Sequence, residues 1–159
     1  MSGQTIDKEW SFDFDFSMNL GSAYSKFMDG LKEKKFLGNK MGERTYCPAK
    51  DFCFRTLEKP SEWVELDGTG TVEAFTVCHR KDNHVIYKES NRLPEPPYVL
   101  GVIRIDHSDC CMLHFLGGVD PQNPNELMRK IRAGLKVRPV WAKQREGNIL
   151  DIQYFEPVK

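Results

Sequence analysis

The chain of 159 residues carries 23 Lys and Arg against 23 Asp and Glu, a formal net charge of zero, with 40% hydrophobic and 29% charged residues. That is an ordinary globular composition needing no disulfide staples, and the neutral balance argues against a dedicated nucleic-acid binder, whose affinity rests on surplus cations. No apolar run approaches the ~20 residues that span a bilayer, and residues 1–10 are too polar for a signal peptide, so a cytoplasmic protein is expected.

In chain order, Trp10, Phe12, Phe14 and Phe16 alternate with polar residues, the period-2 pattern of a strand buried on one face. Such a ribbon lies either on the body of its own chain or on a partner subunit, and the four aromatics are candidate partner-interface residues. A helix is predicted over 19–35, because Leu20, Tyr24, Phe27, Met28 and Leu31 form one apolar stripe at helical spacing. Asn19 or Ser17 is placed to cap its start, Lys32, Lys34 and Lys35 suit the negative end of its dipole, and Gly38 follows as a stop. From 37 to 60, Gly38, Gly42, Pro48 and Pro60 break every period and point to a small lobe of hairpins.

Beyond Pro60 the pattern turns to short strands: Trp63–Leu66, Gly70–His79, Tyr98–Asp106, Met112–Leu116, Leu135–Ala142 and Ile149–Phe155, with one helix at about 124–132. In the last strand Leu150, Ile152 and Tyr154 fall on one face, Asp151 and Gln153 on the other. Pro139 has no N–H to donate, so its strand is an edge or is bulged there. About five antiparallel strands with a late inserted helix suggest a small barrel of the OB type. The fold class read this way is mainly β within α+β. It divides into an N-terminal strand and helix (1–36), a ribbon lobe (37–60) and a C-terminal barrel (61–159), with 81–97 as a long loop.

No nucleophile elbow, phosphate loop, HExxH or intact CxxC occurs, and His79, His84, His107 and His114 are scattered. A binding or scaffolding module therefore fits better than an enzyme, and no catalytic residue is assigned. The five cysteines, Cys47, Cys53, Cys78, Cys110 and Cys111, have no disulfide spacing. Cys78 and one of the vicinal pair are expected as small core residues. Residues 26–44 and 129–145 are locally basic. They read either as ordinary solvated faces or as an anion site for a ligand such as coenzyme A, with its 3′-phosphate and pyrophosphate. The candidate contacts are Lys40, Arg44, Lys50 and Arg55, then Arg129 and Arg132.

Leu37-Gly38-Asn39-Lys40 and Tyr46-Cys47-Pro48-Ala49-Lys50-Asp51-Phe52-Cys53 resemble the rubredoxin-like ribbon of the zinc-ribbon/OB-fold acyl-CoA-associated proteins. Trp63–Leu66 followed by Gly68-Thr69-Gly70-Thr71-Val72 resembles the start of that family's barrel. Pro96–Leu100, His114–Gly117 and Arg145–Phe155 match the rest of the barrel in order. The resemblance places Met41, Arg44, Cys53 and Thr56 where the family carries two CxxC knuckles around zinc. Only Cys53 keeps the ligand type, so a ribbon without metal is expected, packed by Tyr46, Phe52, Phe54 and Leu57. A site completed by Cys47, Cys53 and a distant histidine is the remaining metal alternative. The resemblance implies a non-catalytic small subunit docking on a thiolase-like enzyme, helping to shape an acyl-CoA channel and sharing coenzyme A thioester as its ligand. Two alternatives stand beside it: a partner of a hotdog-fold hydratase or aldolase, and a single-strand nucleic-acid binding OB module. A free-standing enzyme using Cys47 or Cys53 as nucleophile is a third.

Overall fold

The computed structural model describes residues 19–79 and 94–158. The aromatic ribbon at 10–16 and most of the loop at 81–97 lie outside the described residues. Helix α1 (Ser22–Lys32) leads into a hairpin of β1 (Phe36–Met41) and β2 (Arg44–Tyr46), and β3 (Glu62–Leu66) pairs with the other side of β1, giving a sheet of order β2-β1-β3. The strands β4 (Gly70–Cys78), β5 (Tyr98–Ile105), β6 (Cys111–Leu116), β7 (Lys136–Trp141) and β8 (Ile152–Pro157) close into a barrel of order β4-β5-β6-β8-β7. Helix α2 (Pro124–Lys130) is inserted between β6 and β7. A closed five-strand barrel with one parallel contact, Leu116 to Phe155, and a helix between its third and fourth strands has the OB architecture. The chain is mainly β.

The apolar stripe of α1 packs as the sequence requires, but other groups set its ends. α1 buries Phe27 and Leu31 completely, whereas Leu20 lies before the helix and is exposed. Asn19 does not cap the first turn of α1, its Oδ1 accepting only the Gly21 N–H (2.9 Å), and Ser17 lies outside the described residues. The Asp51 carboxylate reaches across from the ribbon lobe, accepting from Ser22 Oγ (2.8 Å) and the Ala23 N–H (3.0 Å). Those two donors hold the Asp51 carboxyl below its ordinary range. Gly38 is not the stop either. Lys34 adopts the left-handed conformation (φ 64°), and the N–H groups of Lys34 and Lys35 return to Leu31 and Gly30, closing the helix as a Schellman motif. Gly38 instead lies within β1, where a Cβ would stand 2.7 Å from the Tyr46 carbonyl oxygen. Asn123 caps α2 by accepting from the Glu126 N–H.

One core runs through helix, ribbon lobe and barrel: Phe27 and Leu31, then Phe36 and Cys47, then Val72, Ile103 and Phe155. Phe36 is its hub, with its ring centroid 6.4 Å from that of Phe27, 5.5 Å from Trp141 and 6.2 Å from Phe155. Gly68, at φ 79°, passes so close that a Cβ there would run into the Phe36 ring. The loop joining β5 to β6 seals the other seam. The Asp109 N–H donates to Thr45 O (2.7 Å), its carboxylate accepts from the Thr45 N–H (2.8 Å), and Ser108 Oγ accepts from the Cys47 N–H (3.0 Å). These bonds cover the outer edge of β2, which would otherwise offer unpaired backbone groups.

Two details differ from the period-2 reading. Glu62–Leu66 does not belong to the barrel ladder; its partner is β1. The final strand starts at Ile152, because Ile149–Asp151 form a 3-10 turn capped by Asn148. Asp151 is fully buried, and its carboxylate collects the N–H groups of Glu146, Gly147 and Asn148 (2.7–3.2 Å). It is therefore an internal cap and not a solvent-facing strand residue. β4 reaches only Lys136 and Val137 of β7, so Pro139 lies past that pairing, next to a register shift at Val140/Trp141.

Candidate functional site

The ribbon lobe concentrates the unusual chemistry. Asn39, fully buried in β1, donates from Nδ2 to Lys50 O (2.7 Å) and accepts the Lys50 N–H (3.3 Å), pinning the segment after β2. The chain then turns tightly: the Cys53 N–H donates to Glu58 O (2.9 Å) and the Leu57 N–H to Cys53 O (2.8 Å), with Leu57 left-handed at φ 58°. Inside that turn the Cys53 sulfur meets Thr56 and the N–H groups of Thr56 and Arg55, and the Tyr46 hydroxyl lies 3.4 Å away.

These donors favour the thiolate. They lower the Cys53 pKa from 9.0 to about 6, the Thr56 hydroxyl contributing most and Tyr46 next. The Tyr46 hydroxyl moves the opposite way, upward, because its proton is held against the sulfur and it is buried. Cys47 behaves unlike Cys53. It sits in the main core with no accessible surface, and burial raises its thiol well above the ordinary range. Cys110 is half-buried against Cys53, Met41 and Tyr46, Cys78 is half-buried, and Cys111 is exposed. The two most buried cysteines are thus Cys47 and Cys53, contrary to the expectation for Cys78 and the vicinal pair. The loop that clasps β2 draws Cys110 against the ribbon lobe before β6 begins.

The residues at the ribbon's four ligand positions do not fit zinc. Met41 is packed in a small cluster with Tyr46 and Cys53, Arg44 is a cation on β2, and the Thr56 hydroxyl has Glu58 Oε2 at 3.0 Å. Among the described residues no group of three or more His, Cys, Asp or Glu is placed to hold a metal ion. The expected filler is only partly right. Tyr46 is buried, but Phe52, Phe54 and Leu57 are 43%, 73% and 74% exposed. The turn spends its interior on the sulfur and its hydrogen bonds, so the flanking side chains point outward.

The candidate anion contacts fall into two sets. Lys40 is engaged with Glu62 (3.0 Å). Arg44 and Lys50 both converge on Tyr46, the Lys50 ammonium lying 5.1 Å from its ring centroid and 5.2 Å from that of Phe54. Arg55 sits in the Cys53 turn. Arg129, in the last turn of α2, and Arg132, just after it, belong to the barrel and are exposed.

Sequence reasoning missed a cleft of about 380 Å³ at one end of the barrel, lined by Pro97, Tyr98, Phe115, Leu116, Gln153 and Tyr154 among others. Its aromatic walls, including the Tyr98–Phe115 pair at 5.4 Å, come from three different strands, a juxtaposition no local pattern shows. Behind the cleft His114 is buried as the neutral imidazole. A carbonyl can only accept, so Nε2–H donates to Ile149 O (3.1 Å) and Nδ1 accepts the Phe115 N–H (2.9 Å). Burial lowers its pKa.

A family model described as ChsH2, C-terminal OB-fold domain, matches residues 63–142, half of the chain. The chain belongs to the ChsH2 OB-fold family. Solved structures share the fold over a longer stretch of the chain. The chain is similar to a protein of unknown function from the DUF35 family of Sulfolobus solfataricus, at 24% identity and a TM-score of 0.54, covering 76% of this chain and 78% of that one. It is also similar to a chain of the Ltp2-ChsH2(DUF35) aldolase, at 18% identity and a TM-score of 0.58, covering 89% of this chain and 98% of that one. No curated protein matches the sequence. At these identities the structural likeness speaks for the fold, over 76% and 89% of the chain against the half that the family model matches.

Proposed function

We propose that this ChsH2-family chain is a non-catalytic accessory subunit that docks on a larger enzyme acting on acyl-CoA thioesters, a thiolase-like acyltransferase being the partner class first in line. One observation carries the reading: the buried polar groups hold the fold, while the ribbon lobe turns apolar and cationic groups outward. Asn39, Ser108, His114 and Asp151 each bind backbone groups, and among the described residues no buried side-chain nitrogen or oxygen lacks a partner. A second reading, an aldolase as the partner, is favoured by the structural neighbour described as an Ltp2-ChsH2(DUF35) aldolase.

In this reading the partner supplies the reacting groups, and this chain supplies shape and charge. The barrel cleft walled by Tyr98, Phe115 and Tyr154 offers a concave apolar surface for a shared acyl channel. Arg44, with Arg129 and Arg132, meets the phosphates of coenzyme A, whereas Lys50 and Arg55 flank the exposed turn of the ribbon lobe. Lys40 adds least, because Glu62 already neutralises it. Trp10, Phe12, Phe14 and Phe16 extend the contact with the partner subunit. The ribbon works without zinc, held by packing around Tyr46, Met41 and Cys53, and the five free thiols suit a reducing cytoplasm.

The test is native purification of the tagged full-length chain, identification of the co-purifying protein by mass spectrometry, and acyl-CoA turnover by the complex and by the chain alone. An acyl-CoA enzyme in the complex and none of the activity in the isolated chain is the expected result. A monomer without such a companion, or unaided turnover abolished by Cys53→Ser, overturns it. Alanine at Arg44, Arg129 and Arg132 is expected to weaken coenzyme A binding by the complex.

A further inference from the structure

The turn at residues 53–58 exposes large apolar side chains without being loose. Phe54 and Leu57 are about three-quarters exposed and Phe52 nearly half, and the Phe52 and Phe54 rings meet edge to face at 5.2 Å. Isolated exposed hydrophobes are unremarkable in proteins, but three within six residues on one turn form a patch. The backbone beneath them is fixed by the Cys53–Glu58 and Leu57–Cys53 bonds and by the Asn39 clamp on Lys50. Leu57 even holds a left-handed conformation that a leucine rarely adopts. A rigid presentation of this kind loses little freedom on binding, which is where protein association otherwise forfeits much of its contact energy.

The surrounding charge selects the partner. Lys50, Arg55 and Lys59 have no ion pair among the described residues. Of the nearby carboxylates, Asp51 is turned to the start of α1 and Glu58 accepts from the Thr56 hydroxyl; both keep their charge, so the cations are in excess by three to two. An apolar centre with a cationic rim is complementary to an apolar depression rimmed by carboxylates.

We infer that the Phe52–Phe54–Leu57 turn is the anchor by which this chain seats on its catalytic partner, in an apolar, acid-rimmed pocket of that subunit. This inference rests on the accessory-subunit reading. Phe54 and Leu57 occupy the pocket, and Lys50 and Arg55 pair with its rim.

The experiment uses the full-length chain and the partner identified from the native complex, both purified, with affinity and association rate measured by surface plasmon resonance. Phe54→Asp and Leu57→Asp should each weaken binding at least ~30-fold, as central anchors do. Phe54→Leu should retain most of it, and Lys50→Glu with Arg55→Glu should slow association about tenfold at low salt. Both positions are exposed, so the variants keep the wild-type melting temperature, which is measured alongside. A complex that forms unchanged with Phe54→Asp and Leu57→Asp overturns the anchor and leaves the accessory reading standing. Absence of any acyl-CoA enzyme from the native complex overturns both. Binding of the wild-type chain to phosphatidylserine vesicles, or a self-dimer in sedimentation, that is lost in Phe54→Asp assigns the patch elsewhere and also overturns it.

Discussion

Cys53 should alkylate as a thiolate at a pH where Cys47 and Cys111, whose pKa values burial raises, are still thiols. With a pKa of about 6, about nine-tenths of it is ionised at pH 7, against about one part in a hundred for a thiol at 9, a ~90-fold gain in the reactive form. Nucleophilicity falls with basicity, and a Brønsted slope of about 0.4–0.5 over three units takes back roughly 15- to 30-fold, so a freely accessible thiol would gain only about 3- to 6-fold at pH 7, and the burial of Cys53 lowers its rate further. The shape of the pH profile is therefore more telling than the rate. Iodoacetamide labelling resolved by peptide mass spectrometry between pH 4.5 and 9.5 should give a midpoint near 6 for Cys53 and a plateau from about pH 7. Thr56→Ala removes the strongest donor and should move the midpoint up, with Tyr46→Phe doing so next. The single Thr56 proton also has Glu58 Oε2 within 3.0 Å. Glu58→Ala leaves that proton to the sulfur alone and should hold the midpoint near 6. A wild-type midpoint at 8.5 or higher, or a profile indifferent to Thr56 and Tyr46, would refute the cradle described above.

Three further outcomes follow from other parts of the molecule. His114 is buried and neutral with a lowered pKa, so its contribution is complete above the unfolded value near 6.5 and is lost as the pH falls below it, at up to about 1.4 kcal/mol per pH unit. Denaturant melts at pH 7.5 and 5.0 should show that loss, and His114→Gln should flatten it. Phe36→Ala should cost about 3–5 kcal/mol, because the ring bridges Phe27, Trp141 and Phe155 in one core. Guanidinium unfolding should register this as a single shifted transition and not as separate melting of ribbon lobe and barrel. Purified chain should carry less than about 0.1 zinc per molecule, and EDTA should move its melting temperature by less than about 1 °C, since a structural metal would stabilise by mass action.

Much of the fold was legible because it is written locally. The 3.6-residue stripe of α1 and the alternation of the barrel strands put elements within about three residues of where they form. What stayed hidden depends on residues far apart in the chain. Asp51 caps a helix 28 residues upstream, and Asp109 seals a strand 64 residues away. Asp151 looked like the outer face of a strand because a carboxylate that gathers backbone N–H groups leaves no periodic mark. At the site, the lone Cys53 and Thr56 at knuckle spacing were visible, but not that the turn keeps its donors aimed at the sulfur. Nor was it visible that Phe52, Phe54 and Leu57 would face outward. An aromatic residue reads as core by composition, and only the direction of the backbone says otherwise.

The seam between the two sheets sets a condition on anyone who would re-engineer this protein. With Phe36 lodged among barrel residues and Thr45 laced to Asp109, a cut near residue 60 would leave two sticky halves in place of two working modules. Any graft meant to redirect the chain to a new host must therefore exchange only the outermost turn, leaving every residue that spans the joint untouched.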